Sequence, residues 1–400
     1  MGALSCLVID SFSHIDQALE KEWDELAIES KGSIYLTCGW CRIWWDFYGK
    51  GKLLRIFFYR SQGKLVGVLP VYIEKIRLGL LQNLVARLVG ACNPPKVFEL
   101  PIKKEFAGPA AEHMARHLVY IDRCDLISIG PLSDECEAKA LIFGKAKTMT
   151  NDLGIVKDVP SGVYAYFIIP GSYDMYLHHL SANERKKRKR YQNLLDKEHD
   201  VYSEVIRGPN EIAAEMPLYL ALHEAQWQPQ GKLGYYNAWP QSGAFNKRLA
   251  FEMARLGRTR LVRITAEKKP IVYEYSFALG DRSYLQNSAR AAGEEWDRFS
   301  LGATGVAVFI RYAIEEGINR IEAGLSHYDY KTRLGAIESK VSTLRLIARR
   351  PSSILKYYIC IAIYKLYHNF YYRLWYSRIQ PRLPTPFRRP ICTNYIRLTF

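Results

Sequence analysis

The residues best suited to chemistry lie between positions 180 and 335. Glu295-Trp-Asp-Arg298-Phe-Ser300-Leu-Gly302-Ala303-Thr304-Gly305 runs into an apolar stretch, so a glycine-rich turn opens a helix there. Glycine lets a backbone approach a ligand closely. First-turn amides and the helix dipole then favour a phosphate, and Arg298 adds a charge-assisted contact. Ser300, Gly302, Ala303, Thr304 and Gly305 complete the predicted cradle. No Gly-Lys-Ser or Gly-Lys-Thr follows, and the glycine spacing of a dinucleotide fingerprint is absent, so neither nucleotide motif applies. Glu274 sits among aromatics in Val-Tyr-Glu-Tyr-Ser; such a carboxyl has a raised pKa suited to base work, or is a structural ion-pair partner. His223 shares a predicted helix with Leu218, Leu222 and Trp227, either as a buried, satisfied imidazole or as a base or acceptor binder. Asp329, Tyr330 and Lys331 follow a strand end in a polar loop, a common location for functional groups. Tyr284, Gln286 and Ser288 alternate along a strand and would line one face.

Ser181-Ala-Asn-Glu184 is a capping box, so a helix starts there. Six cations follow, Arg185, Lys186, Lys187, Arg188, Lys189 and Arg190, and Leu194 and Leu195 offer a packing side. Like charges at i,i+4 repel. The run is either simply solvated or waits for an anionic partner, with Lys186, Lys187 and Lys189 as the contacts.

These sites belong to a chain of 400 residues with 48% hydrophobic and 24% charged side chains, which excludes a disordered or collagenous protein. Its net charge of +16 points to phosphate-bearing ligands, nucleic acid or an anionic membrane surface. The N-terminus lacks a basic and apolar leader, and the apolar stretch 354–375 is interrupted by Lys356, Lys365, His368 and Arg373. A cytoplasmic location is expected, peripheral at the inner face of the membrane if the tail binds there. Eight scattered cysteines read as reduced thiols. Cys38-Gly-Trp-Cys41 lies in an aromatic, near-helical stretch and reads as small filler on a buried helix rather than a redox pair. No second ligand pair follows it, so no metal is expected.

The elements that must position the site form a repeat. A strand at 55–60, a turn at 61–63 and a strand at 64–73 reappear as a strand at 259–265, a turn at 266–270 and a strand at 271–279. Further strands are predicted over 282–288, 125–130 and 319–324, and helices over 14–30, 108–120 and 303–316. Two copies of one α/β domain about 200 residues apart are implied. The expected division is 1–160, 161–350 and a basic, aromatic, proline-containing tail over 351–400. The tail suits a membrane interface or packing on the second domain.

Arg298-x-x-x-Gly302-x-x-Gly305, between a meander and a helix, resembles a loosened pyrophosphate loop of the GNAT acyltransferases. Further pieces resemble the CelD-like polysaccharide-biosynthesis branch, related in architecture to Fem-type aminoacyl transferases. They are Leu180-Ser181 with the basic helix, His223-x-x-x-Trp227-x-x-x-Gly231, Gly280 to Ser288, and Glu322-Ala-Gly324 with Asp329-Tyr330-Lys331-x-Arg333-x-Gly335. The family more often has Asp-Phe-Gly at 322–324 and Trp at 334. The resemblance implies a fold of two tandem GNAT-like domains with a helical tail, acyl-CoA as co-substrate, acetyl by default, and no metal. It implies a donor site in the second copy only, since Pro109 removes an amide from the matching helix of the first. The acceptor would be an amine or hydroxyl of a carbohydrate or cell-envelope precursor. Glu274, with His223 and Asp329, is the candidate catalytic set; Trp227, Tyr284, Gln286, Ser288, Tyr330 and Lys331 would bind substrate. Two other classes remain open: a Fem-type transferase using aminoacyl-tRNA, and a non-enzymatic membrane-associated scaffold.

Overall fold

The structure is a computed structural model that describes residues 3–384 and 387, apart from 79, 93–95, 231, 233 and 239. The chain opens with β1 (Leu4–Ile9), α1 (Gln17–Glu29), α2 (Cys38–Tyr48), β2 (Leu53–Ser61), β3 (Lys64–Leu78), β4 (Leu81–Leu88), α3 (Ala107–Arg116), β5 (Leu126–Ser133) and α4 (Glu137–Thr148). Then come β6 (Gly154–Ile168), α5 (Tyr173–His179), α6 (Ala182–Glu198), β7 (Val201–Ile206), α7 (Pro209–Trp227), α8 (Tyr235–Ala238) and α9 (Ser242–Arg255). β8 (Thr259–Ala266), β9 (Lys269–Leu279) and β10 (Arg282–Arg290) form a meander, followed by α10 (Glu294–Asp297), α11 (Leu301–Glu315), β11 (Arg320–Leu325) and α12 (Asp329–Arg333). β12 (Ile337–Ala348) and α13 (Pro351–Phe370) end the regular structure.

Two compact units result. One takes residues up to Gly162 and recovers Ser339–Ile379; the other is built on Val163–Glu338. Within the first, β1-β2-β3-β4 pair antiparallel, β5 joins β4 in parallel, and β12 joins β5 antiparallel. Within the second, β7-β8-β9-β10 pair antiparallel, β11 joins β10 in parallel, and β6 joins β11 antiparallel. The predicted repeat is therefore one topology used twice. Its last strand comes each time from the other half of the sequence: β12 closes the early unit and the end of β6 the late one. A parallel pair needs a long crossover; α3 supplies it between β4 and β5, and α11 between β10 and β11.

The first unit packs Trp23, Trp40, Trp44, Phe57, Phe58 and Tyr72 at its centre. Cys38 and Cys41 are buried thiols on α2 among these aromatics, with no disulfide between them. Helix α13 packs on this unit, not on the second as one sequence reading had it. Tyr357 is seated among Ile76, Val85, Leu126 and Ile347, with Ile354 and Ile361 beside it.

The second unit places α5, α6 and α11 on one face of its sheet, where Val306, Phe309 and Ile310 meet Val262, Val272 and Ile321. α7 lies on the other face, its Tyr219 against the rings of Tyr273 and Tyr275. The serine half of the predicted capping box forms, while the Glu184 carboxylate turns to Lys187 and Arg188 instead of the Ser181 amide. The Ser181 hydroxyl accepts from the Glu184 amide at 3.3 Å, and Leu195 is fully buried in the core. Replacing a hydroxyl N-cap by alanine costs about 1 kcal/mol, whereas aspartate serves as well as serine. Urea unfolding should accordingly show Ser181→Ala less stable by about that amount and Ser181→Asp close to the parent. Equal losses in both variants would show that the cap does not hold α6.

Candidate functional site

The second unit opens where β10 leaves β11. The parallel ladder joins only Arg282 to Arg320, Ser283 to Ile321 and Tyr284 to Glu322. β10 then continues to Arg290 with β9 as its only strand partner; at its other edge the Ser288 amide donates to Asn287 Oδ1 at 3.1 Å and the Arg290 amide to Gln226 Oε1 at 3.2 Å. A bulge between Leu285 and Asn287 coincides with the parting. Such bulges re-aim side chains. Two residues of β10 here face one of β9, and the alternation predicted for Tyr284, Gln286 and Ser288 is broken. Tyr284 pairs with Phe277 on the α7 face and Ser288 with Glu274 on the α11 face. These three side chains do not share a face, and the Gln286 amide donates to the Tyr284 carbonyl at 3.0 Å.

The parting leads to the start of α11. Ser300 has left-handed backbone (φ 51°) and its carbonyl takes the amides of Ala303 and Thr304 at 2.9 and 3.1 Å. The Leu301 and Gly302 amides, in the first turn, have no acceptor within the helix. The Thr304 hydroxyl turns inward to the Phe299 carbonyl at 3.3 Å. Arg298, expected to reach a phosphate, instead ion-pairs with Glu198 and lies over the Phe299 ring. A different guanidinium stands at the cradle. A Cβ added at Gly302 would lie 3.4 Å from Arg290 Cδ and 3.6 Å from its Nε. The sequence reading missed Arg290, because only the three-dimensional return of β10 beside α11 makes the pair visible.

Gly305 has a different task. A Cβ there would fall 2.5 Å from Glu274 Oε1 and 2.6 Å from Val272 Cγ1. Glycine thus lets α11 lie on β9 with the carboxyl between them. Glu274 is 0% exposed; its Oε2 accepts from the Ser288 hydroxyl at 2.5 Å, and Oε1 has no hydrogen-bond partner among the described residues. Burial pushes its pKa up to about 8, against the opposing hydrogen bond of Ser288. The carboxyl therefore keeps its proton at neutral pH and lies beneath α11. A base role would require a path from the gap to this carboxyl.

Tyr330 on α12 completes this corner. Its phenol pKa is raised by burial first and then by the charge of Glu274 and the neighbouring Tyr328, so the proton stays on at neutral pH. Lys331 anchors the helix. Its ammonium is buried, donates to the Ala323 carbonyl of β11 at 2.6 Å, and is pushed down to about 8 by burial despite Glu338. Asp329 is 82% exposed and holds His327 at 2.9 Å, away from Glu274. The His327 imidazole, also 2.7 Å from Glu338, has a raised pKa from hydrogen bonding to Glu338 and then to Asp329.

His223 lies on the opposite face of the sheet, so the structure does not join it to Glu274. It is buried, accepts from the Trp227 indole at 3.3 Å, and has Asn287 Nδ2 at 3.3 Å and the Tyr236 ring at 4.9 Å. Burial lowers its pKa to about 4, so the imidazole is neutral. Asn287 and Ser288 are consecutive on β10 and point to opposite faces, which is why one meets His223 and the other Glu274. The matching Gly231 lies outside the described residues.

The basic helix α6 packs with α11 on the Glu274 face. Lys186 and Lys189 are exposed, while Lys187 pairs with Glu184 at 3.1 Å. Arg185 caps the preceding carbonyls of His178 and Leu180 at 3.1 and 2.8 Å. Arg188 turns inward. Its side chain is 9% exposed, 3.7 Å from Glu184, and its Nε and Nη1 have no hydrogen-bond partner among the described residues.

Residues 182–332 match the family described as an acetyltransferase (GNAT) domain. A solved structure of FemX superposes with a TM-score of 0.64 at 11% identity, over 87% of this chain and 99% of that one. A conserved protein of unknown function from Bacteroides thetaiotaomicron superposes with a TM-score of 0.53 at 8% identity, over 85% and 100% of the two chains. No curated protein sequence matches. The chain thus has a mixed α/β fold with GNAT-like units, the second of which carries the matched domain. Among the described residues no cluster of side chains suits a metal ion.

Two outcomes test this packing. In a helix, Gly→Ala normally gains about 1 kcal/mol; at Gly305 overpacking of about 1–3 kcal/mol opposes it, because Val272 is a stiff neighbour. Thermal unfolding should show Gly305→Ala destabilised and Gly302→Ala not, and the reverse order would refute the close approach.

The second outcome concerns Glu274, whose folded pKa lies above its unfolded one. Its contribution to stability is complete below the unfolded value near 4.5 and is lost as pH rises through about 8. Glu274→Gln should therefore gain stability relative to the parent steadily from pH 5 to pH 8. A pH-independent difference between the two proteins would mean that the carboxyl is not held protonated.

Proposed function

We propose that the protein is an acyltransferase that moves an acyl group, acetyl by default, from acyl-CoA to an amine or hydroxyl of a carbohydrate or cell-envelope precursor. The supporting observation is the parting of β10 from β11 after three paired residues, ending at the first turn of α11. An extended amide-bearing donor can add along this edge of β10 as a further strand does, taking the Ser288 and Arg290 amides over from the side chains of Asn287 and Gln226. Its pyrophosphate would then reach the Leu301 and Gly302 amides, with Arg290 as the cation. This replaces Arg298 by Arg290 in the donor site. Ser300, Ala303 and Thr304 shape the turn, and Gly305 seats the helix. Two domains, divided near residue 160, with a tail after 350, remain our reading of the sequence plan; the donor site belongs to the second.

In the transfer, the acceptor's nitrogen or oxygen forms a bond to the thioester carbonyl carbon. The carbon–sulfur bond breaks, a proton leaves the acceptor and the thiolate takes one up. Tyr330 keeps its phenolic proton and stands next to the end of β11, which fits it to protonate the thiolate. Glu274, reached through Ser288, is the candidate sink for the acceptor's proton in its ionised form, which is the minor form at neutral pH and grows as pH rises through about 8. His223 and Trp227 on the other face fit a role in positioning Asn287 and so the course of β10. Lys186, Lys187 and Lys189 are the candidate contacts for an acceptor phosphate. Tyr284, Gln286, Asp329 and Lys331 serve the shape of the gap and of α12. The CelD-like resemblance is the support for a polysaccharide acceptor.

A second reading, transfer from aminoacyl-tRNA, is favoured by the net charge of +16 and the exposed cations of α6, which suit an RNA backbone. Calorimetry with CoA separates the two readings. The parent should bind CoA; Arg290→Ala and Gly302→Val should weaken it roughly tenfold or more, the loss of one charge-assisted contact; and Arg298→Ala should bind as the parent does. Failure of the parent to bind CoA, with salt-sensitive binding of tRNA, would decide for the second reading.

A further inference from the structure

The first unit carries a cavity that the proposed reaction does not use. It has a volume of about 520 Å³ and lies between the end of β3, the start of β4 and the start of α13. Its lining brings Lys75, Arg123, Arg350 and Lys356 around a single carboxylate, Asp125. Asp125 is already saturated. It accepts from the Ser353 hydroxyl at 2.5 Å, the Leu84 amide at 3.0 Å and Lys356 at 3.0 Å, with Arg350 at 3.5 Å. Burial works against its charge, yet these hydrogen bonds hold the Asp125 carboxyl below its usual range. Arg350 also donates to the carbonyls of Arg123 and Cys124 at 3.0 and 2.6 Å. Asp125 thus fixes Arg350 and Lys356, while Lys75 and Arg123 are exposed cations with no ion pair among the described residues. The cavity is left with a surplus of positive charge.

Two further donors face this charge. Gln82 lines the cavity, and its Nε2 is sealed from solvent with no hydrogen-bond partner among the described residues. A buried donor without an acceptor is costly, so the amide beside the cavity is poorly satisfied as it stands. Ser352, also in the lining, stands in the first turn of the 20-residue helix α13, whose positive end points there. Cations and a helix start around one space fit a phosphate.

An apolar surface adjoins it. Leu80, at the turn between β3 and β4, lines the same cavity and is 105% exposed. From the cavity outward, α13 shows Leu355, Tyr358, Leu366 and Phe370 to solvent, with an exposed Ala362 between them. At 100° per residue these five fall within one stripe about 120° wide. Lys157 borders the stripe, its ammonium 3.1 Å from the Tyr358 hydroxyl, and Lys365 is exposed beside it. An apolar stripe flanked by lysines is the pattern of a surface that lies in a lipid interface. No helix among the described residues is long and apolar enough to cross a membrane.

We propose that the first unit docks on an anionic phospholipid bilayer. A headgroup phosphate sits in the cavity against Lys75, Arg123 and the start of α13. Leu80 and the α13 stripe enter the interfacial layer. The site is independent of the donor site in the second unit.

The experiment is co-sedimentation of the full chain with phosphatidylglycerol-containing and with pure phosphatidylcholine vesicles. CoA affinity is measured in parallel. The expected result is retention on the anionic vesicles only, falling roughly tenfold or more in Lys75→Glu/Arg123→Asn, since each basic contact near a charged surface is worth about a fivefold factor. Asparagine is chosen because Arg123 has a left-handed backbone (φ 56°), which asparagine tolerates. Leu80→Asp should also lower retention, with inorganic phosphate binding retained. Circular dichroism and CoA affinity should match the parent in both variants, which separates failure here from failure of the acyltransferase reading. Equal retention on both vesicle types, or retention unchanged in the variants, would overturn the proposal. If the parent ignores vesicles but binds inorganic phosphate through Lys75 and Arg123, the cavity serves a soluble phosphate compound and the lipid assignment is wrong.

Discussion

Helix α11 can lie on the second sheet only because residue 305 has no side chain. A methyl group there would overlap both the Glu274 carboxylate and Val272. Much of the site follows from that contact. It sets how deep the first turn of the helix sits, and therefore where the Leu301 and Gly302 amides point. It seals Glu274 from water, which pushes the carboxyl up to about 8 and makes it a neutral hydrogen-bonding group. It also brings Gly302 within reach of Arg290, so the cradle gains its cation from the strand before the loop. The two glycines, three residues apart, do different work: Gly302 lies beside Arg290 at the proposed donor site, and Gly305 gives the helix access to the sheet.

The bulge in β10 is the second constraint. It shifts the register by one residue beyond Leu285, so Ser288 rather than Asn287 faces α11. Without the shift the faces would exchange. Asn287 would lose His223, and Ser288 would lose Glu274. The neutral imidazole under Trp227 and Tyr236 then reads as part of the mechanism that holds this bend. Its neighbours are an indole donor and an amide, and burial, by lowering its pKa to about 4, makes it a weak base and leaves no imidazolium to act as an acid near neutral pH. The α7 face is a scaffold of aromatic rings, and the α11 face carries the groups that change protonation.

Local signals were legible in the sequence where one residue type has one strong physical consequence. The Ser181 cap and the alternation of 271–279 each act over a few residues and stand where their patterns predict, whereas α11 starts at Leu301, so Gly302 and Gly305 lie in its first turns and not in a turn before it. The doubled topology was legible for the same reason, as strand, turn and strand recur. Contacts that depend on a return of the chain were not legible. Arg298 and Arg290 are both arginines near a glycine turn; only the course of β10 decides that one meets α11 and the other Glu198. Asp329 looks like a loop carboxylate in sequence, and its exposure and its pairing with His327 emerge only with α12 in place. The bulge at Leu285 left no signal in the alternation, so the shared face of Tyr284 and Ser288 was read wrongly. The recovery of 339–379 by the first unit depends on where Tyr357 finds a cleft, which local pattern does not encode.

Charge is placed as unevenly as shape. In α6 the six cations do not form one uniform surface: Arg185 caps carbonyls, Lys187 answers Glu184, and Arg188 is drawn inward beside it. Lys186, Lys189 and Arg190 are left on the outside. The first unit treats its cations in the same manner. Asp125 holds Arg350 and Lys356 in place and leaves Lys75 and Arg123 unanswered. In both units one buried carboxylate organises a basic cluster by pairing with some of its members, and the cations it does not reach keep the excess. A net charge of +16 alone would say only that the protein prefers anions. The pairing with Glu184 and Asp125 leaves the excess on particular cations, Lys186, Lys189 and Arg190 in one unit and Lys75 and Arg123 in the other.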